Sequence, residues 1–209
     1  MSNANDAALL KRLAAHSSAT VYEAQGKRGA LPSGIKPIHS SMKVCGPALT
    51  VDSPPMDNLL LHEAIYKAKP GDVLVVRVAG HYEAGYWGDI MTVAAKERGI
   101  AGLIIDGCVR DSQELIEMQF PAFTRGLCIR GTLKHGGGPI GGSVTIGDVT
   151  IHTGDLVLGD ADGVAIVPQA ELADSIAKSD ARVAFEDGIK DGLRAGKTTL
   201  ELYNGFGKK

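Results

Sequence analysis

Helical and extended apolar patterns alternate in the first half of the chain. Apolar residues between Ala8 and Ala14 follow the spacing of an amphipathic helix, whereas DVLVVRV and IAGLIID are short apolar runs typical of buried strands. Prolines and glycines separate these segments. We therefore predict helices over 6–15, 20–24, 58–68, 89–99 and 111–119, a loop over 29–41, and strands over 43–51 (broken at Gly46-Pro47), 72–78, 100–106 and 120–125.

Shorter apolar segments, separated by glycine, make up the second half. SVTIG, VTIHTG, DLVLGD and GVAIVP, within residues 143–168, predict short strands of a β-meander. A long helix from Gln169 to about Gly188 and a polar tail follow. Because strands and helices alternate in the first half, and parallel strands need crossover connections, we predict an α/β protein with a parallel sheet.

Composition narrows the class of protein. A length of 209 residues suits one domain, and 44% hydrophobic with 22% charged residues is ordinary for a globular chain. The formal net charge of −2 argues against a nucleic-acid partner. No apolar stretch of about 18 residues and no signal peptide is legible, so we expect no membrane partner and a cytoplasmic location. Cys45, Cys108 and Cys128 form no CxxC pair, which fits a reducing compartment.

Candidate chemistry lies where two predicted parallel strands end. The loop before Asp89 leaves the carboxyl end of one strand, and the turn before Arg110 and Asp111 leaves the carboxyl end of the next. Both turns then open at one edge of the sheet, where ligand sites of α/β sheets lie. We therefore expect Asp89 to lie close to Arg110 and Asp111, although a helix and a strand separate them in sequence.

These residues suit a small anionic substrate and a hard cation. Arg110 provides a planar, always charged donor. Asp111, with Glu114 three residues later, provides oxygen ligands, which favour Mg2+ or Mn2+ over Zn2+. A structural role fits as well, because Asp89 and Asp111 can each cap a helix and Arg110 can form a surface ion pair. The start of the first helix also offers a carboxylate cradle, made of the backbone amides of Gly88, Asp89, Ile90 and Met91.

The central segment carries a family resemblance. GYWGDIMTVAAKERGIAGLIIDGCVRDSQELIEMQFPAFTRG, residues 85–126, resembles the core of the family that contains 4-hydroxy-4-methyl-2-oxoglutarate and 4-carboxy-4-hydroxy-2-oxoadipate aldolases and the regulator of ribonuclease E activity. Asp89 and Arg110-Asp111 fit the pattern of the aldolases, and Arg110, Asp111 and Glu114 also fit the Arg-Asp-x-x-Glu of other members. Similar segments extend from TVYEAQG to GDADGVAIVP, so the resemblance covers most of the chain.

The resemblance implies an α/β fold of the swivelling β/β/α type. Residues 1–209 would form one domain, with helical segments at 1–25 and 169–209. The family forms homotrimers or hexamers with sites near subunit boundaries, so a neighbouring subunit would contribute an acid. Glu186, in the predicted C-terminal helix, is our candidate for that acid, although Gly188 and Gly192 are unfavourable for a helix there.

The resemblance also implies the chemistry of a class II, metal-dependent pyruvate aldolase. The residue matching Asp111 holds the divalent metal directly, and the residue matching Asp89 acts through water. The substrate would be a small 2-oxo diacid that is cleaved to pyruvate plus pyruvate or oxaloacetate, with Arg110 stabilising charge on the keto oxygen. Oxaloacetate would be decarboxylated at the same site, because that reaction gives the same enolate.

Other functions are compatible with parts of this sequence. A regulator that masks ribonuclease E would share the fold and needs no metal-binding acids, and a dedicated oxaloacetate decarboxylase would use the same acids. A Schiff-base mechanism is disfavoured because the apolar strands contain no Lys and Lys134 lies in a Gly-rich segment. His62-Glu63 lacks the second His of a zinc-protease motif, so we interpret it as a pair on a helix face.

Overall fold

The computed structural model describes residues 4–203, and residues 1–3 and 204–209 of the predicted terminal segments lie outside this range. The helices are α1 (Ala4–Leu13), α2 (Ser18–Ala24), α3 (Leu59–Lys67), α4 (Asp89–Glu97), α5 (Ser112–Glu117), α6 (Leu172–Arg194) and α7 (Thr199–Leu202), with a 3-10 turn at Gln169–Glu171. The strands are β1 (Lys36–Pro37), β2 (Val44–Asp52), β3 (Val73–Arg77), β4 (Gly102–Asp106), β5 (Cys108–Val109), β6 (Ala122–Thr124), β7 (Gly126–Leu127), β8 (Ser143–Ile146), β9 (Val149–His152), β10 (Leu156–Asp160) and β11 (Gly163–Val167).

Seven of these strands form the central sheet, in the order β1-β6-β4-β3-β2-β10-β11. The predicted parallel pairing is confirmed, because β2, β3, β4 and β6 run in one direction and α3, α4 and α5 provide the connections. Val75 of β3 pairs with Thr50 on one side and with Ile104 on the other. Strands β10 and β1 lie antiparallel to their neighbours β2 and β6. The carboxyl ends of the four parallel strands therefore share one edge.

Both faces of the parallel centre are covered, which explains its nearly continuous apolar strands. Leu74 and Leu103 point into a core shared with α3, α4 and α5. Val75 and Ile104 point into a second core shared with the hairpin formed by β8 and β9. Alternate residues of one strand thus enter opposite cores, so a strand buried on both faces needs apolar residues at almost every position.

Strand β2 is continuous, so the predicted break at Gly46-Pro47 is wrong. Pro47 pairs with Leu156 of β10, whereas pairing with β3 begins only at the next residue, Ala48, so the missing proline N–H leaves no gap on that side. A Cβ on Gly46 would overlap the carbonyl oxygen of Gly71, so the glycine allows the two segments to approach closely. Tertiary pairing therefore holds both residues in the strand.

The C-terminal half does not form one meander. The pairs β8–β9 and β10–β11 are antiparallel hairpins, as the pattern predicts, but β10 joins the central sheet while β8–β9 forms a separate two-stranded sheet. The predicted C-terminal helix is present and continues through Gly188 and Gly192 to Arg194. Its sequence is rich in charged residues, and within residues 4–203 no helix is long and apolar enough to cross a membrane.

Candidate active site

Two loops meet at the carboxyl edge of β3 and β4. The segment after β3 runs alongside β5, with the amide of Tyr86 donating to the Cys108 carbonyl (2.9 Å) and the amide of Arg110 donating to the Trp87 carbonyl (2.9 Å). These bonds hold Gly88, at the start of α4, beside Arg110. The predicted meeting of the two turns is therefore confirmed.

Asp111 forms the centre of this meeting point. Its carboxylate oxygen Oδ2 accepts a hydrogen bond from the amide of Asp89 (3.2 Å) and lies 3.4 Å from Nε of Arg110. The predicted proximity of the three residues is confirmed. The backbone of Asp111 is left-handed, with φ 54°, a conformation that Asp tolerates better than most residues and that often marks functional sites.

The helix caps differ from the prediction in detail. Gly88 is the N-cap of α4, so Asp89 is the first helical residue rather than the cap itself. Asp111 is the N-cap of α5, but its side chain makes no capping hydrogen bond. Instead, that side chain crosses to the amide of Asp89 in the neighbouring helix. The Asp111 carboxylate is thus available to the site instead of serving its own helix.

The N-terminus of α4 already binds carboxylate oxygens. The amide of Asp89 donates to Asp111, and the amide of Ile90 donates to Oδ1 of Asp89 itself at 2.7 Å. These two amides of the predicted cradle are therefore occupied by the chain's own acids. Free amides at a helix start favour such anions, because the helix dipole adds to the hydrogen bonds.

Two glycines provide the close approach that this geometry requires. A Cβ on Gly88 would overlap Oδ2 of Asp111, and a Cβ on Gly85 would overlap the carbonyl oxygen of Cys128 and come within 3.0 Å of Cβ of Arg110. Any larger residue would push the Arg110-Asp111 turn away from α4. The glycines in GYWGD are thus part of the site.

A cavity of about 350 Å³ opens beside this turn. Its walls include Gly88, Asp89, Ile90, Met91 and Arg110, which were predicted to bind substrate. They also include residues that the sequence did not single out as site residues, namely Asn58, His62, Thr132 and Lys134.

Two of these additional residues, Asn58 and Lys134, form a hydrogen-bonded polar wall. The ammonium of Lys134 donates to Oδ1 of Asn58 (2.8 Å), and Nδ2 of Asn58 donates to the Tyr86 carbonyl (2.8 Å). Burial lowers the pKa of His62, and the positive charge of Lys134 lowers it further. Asn58 and His62 are four residues apart, which is a signal that both face one side of α3. Nothing local in the Gly-rich segment indicated that Lys134 would reach the same wall.

The loop before the site is packed rather than open. Trp87 is buried, stacks on Phe120 and donates from Nε1 to the Thr92 hydroxyl (2.8 Å). The hydroxyl of Tyr86 accepts from the amide of Met56 (2.9 Å) and lies 3.0 Å from Nδ1 of His81. Tyr86 and Trp87 are therefore both buried and pack the loop against the protein interior.

The remaining predicted site residues lie outside this cluster. Glu114 is exposed in the first turn of α5, and the i,i+3 argument weakens because Asp111 is not in helical conformation. Glu186 lies on α6 with its Oε1 2.9 Å from Nε of Arg182, which also approaches Glu23 at 3.7 Å. Neither Glu114 nor Glu186 lines the cavity of this chain, and their roles stay predictions.

The described part of a single chain offers few donors for a divalent cation. Within residues 4–203 of one chain, no group of three or more His, Cys, Asp or Glu could hold a metal. The half-buried carboxylate of Asp111 still fits a Mg2+-type ion, which commonly uses one or two carboxylates and completes its shell with water and substrate oxygens. The space that Gly88 leaves for Oδ2 of Asp111 supports this fit.

Several known proteins are similar to this chain in sequence or in fold. A protein of Halalkalibacterium halodurans, provisionally named a 4-hydroxy-4-methyl-2-oxoglutarate aldolase, is 37% identical over 175 residues, which is 82% of this chain and 83% of that protein. The crystal structure of a Pseudomonas syringae protein of unassigned function superposes with a TM-score of 0.83 at 29% identity, covering 93% of this chain and 92% of the other.

A third similarity is to a Streptomyces coelicolor structure described as RraAS2, an unusual member of the RNase ES inhibitor RraA protein family. It has a TM-score of 0.78 at 28% identity and covers 87% of this chain and 96% of the other. The sequence model of the RraA-like family, described as Aldolase/RraA, matches residues 13–166, which include both turns of the site. The swivelling β/β/α fold expected from the resemblance is confirmed, and this chain belongs to the RraA-like family.

Proposed function

We propose that this chain is a lyase, a divalent-metal-dependent pyruvate aldolase. Its substrate would be 4-hydroxy-4-methyl-2-oxoglutarate or 4-carboxy-4-hydroxy-2-oxoadipate, and it would also decarboxylate oxaloacetate. The observation that carries the proposal is the contact of the Asp111 carboxylate with both the amide of Asp89 and the guanidinium of Arg110. The name of the H. halodurans relative supports the aldolase reading.

Asp111 would hold the metal, with Asp89, Glu114 and water as further candidates around it. When bound, Mg2+ or Mn2+ would supply Lewis-acid polarisation of the 2-oxo acid group. Arg110 would donate to the keto oxygen and stabilise the negative charge that develops there as the C3–C4 bond breaks. Its position suits this role, because Arg110 lines the cavity and its Nε lies 3.4 Å from the Asp111 carboxylate.

The cavity suits a diacid because two cationic side chains, Arg110 and Lys134, line it together with the start of α4. Arg110, together with the α4 amides that Asp89 and Asp111 do not occupy, would bind the 2-oxo acid end of the substrate. Lys134, held by Asn58, would add a second cation for a carboxylate. A substrate with two carboxylates and a keto oxygen would therefore accept hydrogen bonds from more of the donors in the cavity wall than a monoacid.

Cleavage requires removal of the proton from the C4 hydroxyl. Asp89, whose carboxylate is only partly buried, would act through an ordered water, and Glu186 of a neighbouring subunit is the other candidate. The remaining enolate would then be protonated to give pyruvate. Oxaloacetate would give the same enolate by loss of CO2, and this step needs no base.

A homo-oligomer, a trimer or hexamer, would complete the site. Three apolar side chains beside the cavity are strongly exposed in the single chain: Ile129 (91%), Ile90 (74%) and Leu127 (60%). Strongly exposed apolar side chains favour contact with another protein surface when they form one patch. We expect a second copy to cover them and to bring Glu186 of its C-terminal helix to the site. No nucleic-acid or membrane partner is proposed, and the cytoplasmic location stays a prediction.

The first test is release of pyruvate from oxaloacetate and from 4-carboxy-4-hydroxy-2-oxoadipate. We expect release with Mg2+, loss of release with excess EDTA, and a fall in kcat/KM of about a hundredfold or more in Asp111→Asn, because one ligand charge is removed. Glu117→Gln, an exposed acid on the same helix, is the matched control and should retain full activity. The ratio of the two rates separates an aldolase from a dedicated decarboxylase.

The alternative is a non-catalytic regulator of ribonuclease E activity. The specific observation in its favour is the similarity to the S. coelicolor structure described as an RNase ES inhibitor family member. A folded, metal-supplied chain that releases no pyruvate from either substrate but inhibits ribonuclease E would replace the aldolase proposal with this one.

A further inference from the structure

Behind the wall of the cavity lies a buried carboxylate that the proposed reaction does not use. Asp57 is 3% exposed and accepts hydrogen bonds from three backbone amides. Its Oδ1 accepts from Leu59 (2.9 Å) and Gly136 (3.2 Å), and its Oδ2 accepts from His135. One of these amides belongs to the start of α3, whereas the other two belong to a loop far away in sequence.

The two segments joined by Asp57 are the two that carry the polar wall. The start of α3 carries Asn58, and the distant loop carries Lys134 immediately before His135. Backbone bonds add to the junction, because the amide of Asn58 donates to the Leu133 carbonyl at 3.2 Å. The carboxylate is therefore one residue from Asn58 in sequence and fixes the amide that follows Lys134.

The loop has little intrinsic order of its own. It continues into a run of glycines, and several of them adopt positive φ, including Gly136 (74°), Gly137 (101°) and Gly138 (117°). Glycine loses more conformational entropy on ordering than any other residue, so such a loop needs anchors to hold one conformation. The side chain of Lys134 is long and exposed, so its ammonium would sample many positions if the backbone of the loop were mobile.

Asp57 is suited to act as that anchor at neutral pH. Burial alone raises its pKa, but the amides of Leu59, His135 and Gly136 and the nearby His135 lower it, and the net pKa lies below its ordinary value. The group is thus an ionised carboxylate, and charge-assisted bonds to backbone amides are stronger than neutral ones.

We propose that Asp57 is a positioning residue that presents Lys134 to a carboxylate of the substrate. This inference rests on the proposed function, since Lys134 is taken to bind the substrate. Asp57 itself does not line the cavity, so its effect must pass through the loop.

A double-mutant cycle tests the proposal. Asp57→Ser keeps a short acceptor for the adjacent amide of Leu59, so α3 retains its start. The same change loses the hydrogen bonds to the distant loop. We expect kcat/KM for the diacid to fall on the order of tenfold in Asp57→Ser, mainly through KM, and about a hundredfold in Lys134→Met. The double variant should equal Lys134→Met, because Asp57 has nothing left to position. Multiplied effects of the two changes would overturn the proposal.

Asp155→Asn is the matched control. Asp155 is also a buried carboxylate that accepts two backbone amides, from His152 (2.8 Å) and Gln169 (3.1 Å), but it does not line this cavity. We expect Asp155→Asn to lower the melting temperature while leaving kcat/KM within about twofold. An equal loss of kcat/KM in this control would mean that destabilisation alone explains Asp57→Ser.

Amide hydrogen exchange provides a readout that is independent of catalysis. In Asp57→Ser, residues 131–136 should lose protection, whereas the amides of α3 should keep it; Asp155→Asn should change neither segment. If the native chain released no pyruvate, the proposed function would fail while this exchange result still decided the role of Asp57. Unchanged protection of the loop would overturn the positioning role whatever the activity.

Discussion

At the scale of single residues, the site depends on a glycine that leaves room for a carboxylate. Gly88 adopts an extended backbone conformation that any residue can adopt, with φ −148°, so its conformation does not demand glycine. The demand comes from Oδ2 of Asp111, which occupies the space that a Cβ would need. Sterics across two loops, rather than backbone strain, therefore select this residue.

We predict that Gly88→Ala impairs activity far more than stability. The new methyl group must displace the Asp111 carboxylate, so kcat/KM for pyruvate release should fall at least about tenfold. The melting temperature should change little, because the backbone conformation suits Ala. Gly126→Ala is the control, since its Cβ would meet only Sγ of Cys108 at an ordinary 3.7 Å. Equal activity of the two variants would show that the position of Asp111 is not critical.

His62 reports on Lys134 through its titration. Burial is the larger cause of its lowered pKa and the charge of Lys134 the smaller, so Lys134→Met should raise the pKa of His62 without restoring its ordinary value of 6.5. Neutral His62 contributes stability that is present above the unfolded pKa and is lost as pH falls towards the folded one. NMR titration checks the shift, with Lys178→Met on α6 as the control. If the pKa of His62 did not change in Lys134→Met, the charge of Lys134 would not act on His62.

At the scale of elements, α6 is a long helix that contains two glycines with different surroundings. A Cβ on Gly188 would meet no atom within 4 Å, whereas a Cβ on Gly192 would lie 2.6 Å from Cδ2 of Leu202 in α7. Gly188 therefore costs helix stability without a packing reason, while Gly192 allows α7 to pack on α6.

Alanine substitution should distinguish these glycines. Gly188→Ala should raise the free energy of unfolding by about 0.5–1 kcal/mol, because Ala is the better helix former. Gly192→Ala should give no such gain, since its methyl group pushes Leu202 away. Urea unfolding followed by circular dichroism measures both. A larger gain in Gly192→Ala than in Gly188→Ala would contradict this packing of α7.

At the scale of the whole molecule, strongly exposed apolar residues such as Ile129 are candidates for a contact between copies of the chain. Ile129 is almost fully exposed, although isoleucine is normally among the most buried residues. It lies in the segment between β7 and the loop that carries Lys134. A surface covered by a second copy would also limit access of water to the cavity.

We predict that Ile129→Glu lowers the oligomeric mass and the activity together. The buried charge would have no partner in a subunit contact, so the oligomer should dissociate. Light scattering coupled to size exclusion measures the mass, and pyruvate release measures the activity. Tyr66→Glu, an exposed aromatic on α3 that does not line the cavity, is the control and should retain the native mass. If the Ile129→Glu variant kept the native oligomeric mass, the surface around Ile129 would not be a subunit contact.

The amino-acid sequence determined the longer helices and strands and the meeting of Asp89 with Arg110 and Asp111. Apolar runs such as GLIID indicate strands buried on both faces, and the crossover rule brings Asp89 to Arg110 and Asp111 because parallel neighbours end at one edge. These inferences succeed because each depends on a local pattern and a single helix-plus-strand connection.

Only the tertiary structure decided the polar wall of the cavity. Lys134 reaches Asn58 although 76 residues separate them, and the link runs through amides donated to the buried carboxylate of Asp57. Pro47 stays within β2 because its pairing with β3 starts one residue later. Such contacts leave no periodicity in the sequence, since a hydrogen bond between distant segments constrains only the few residues at its two ends.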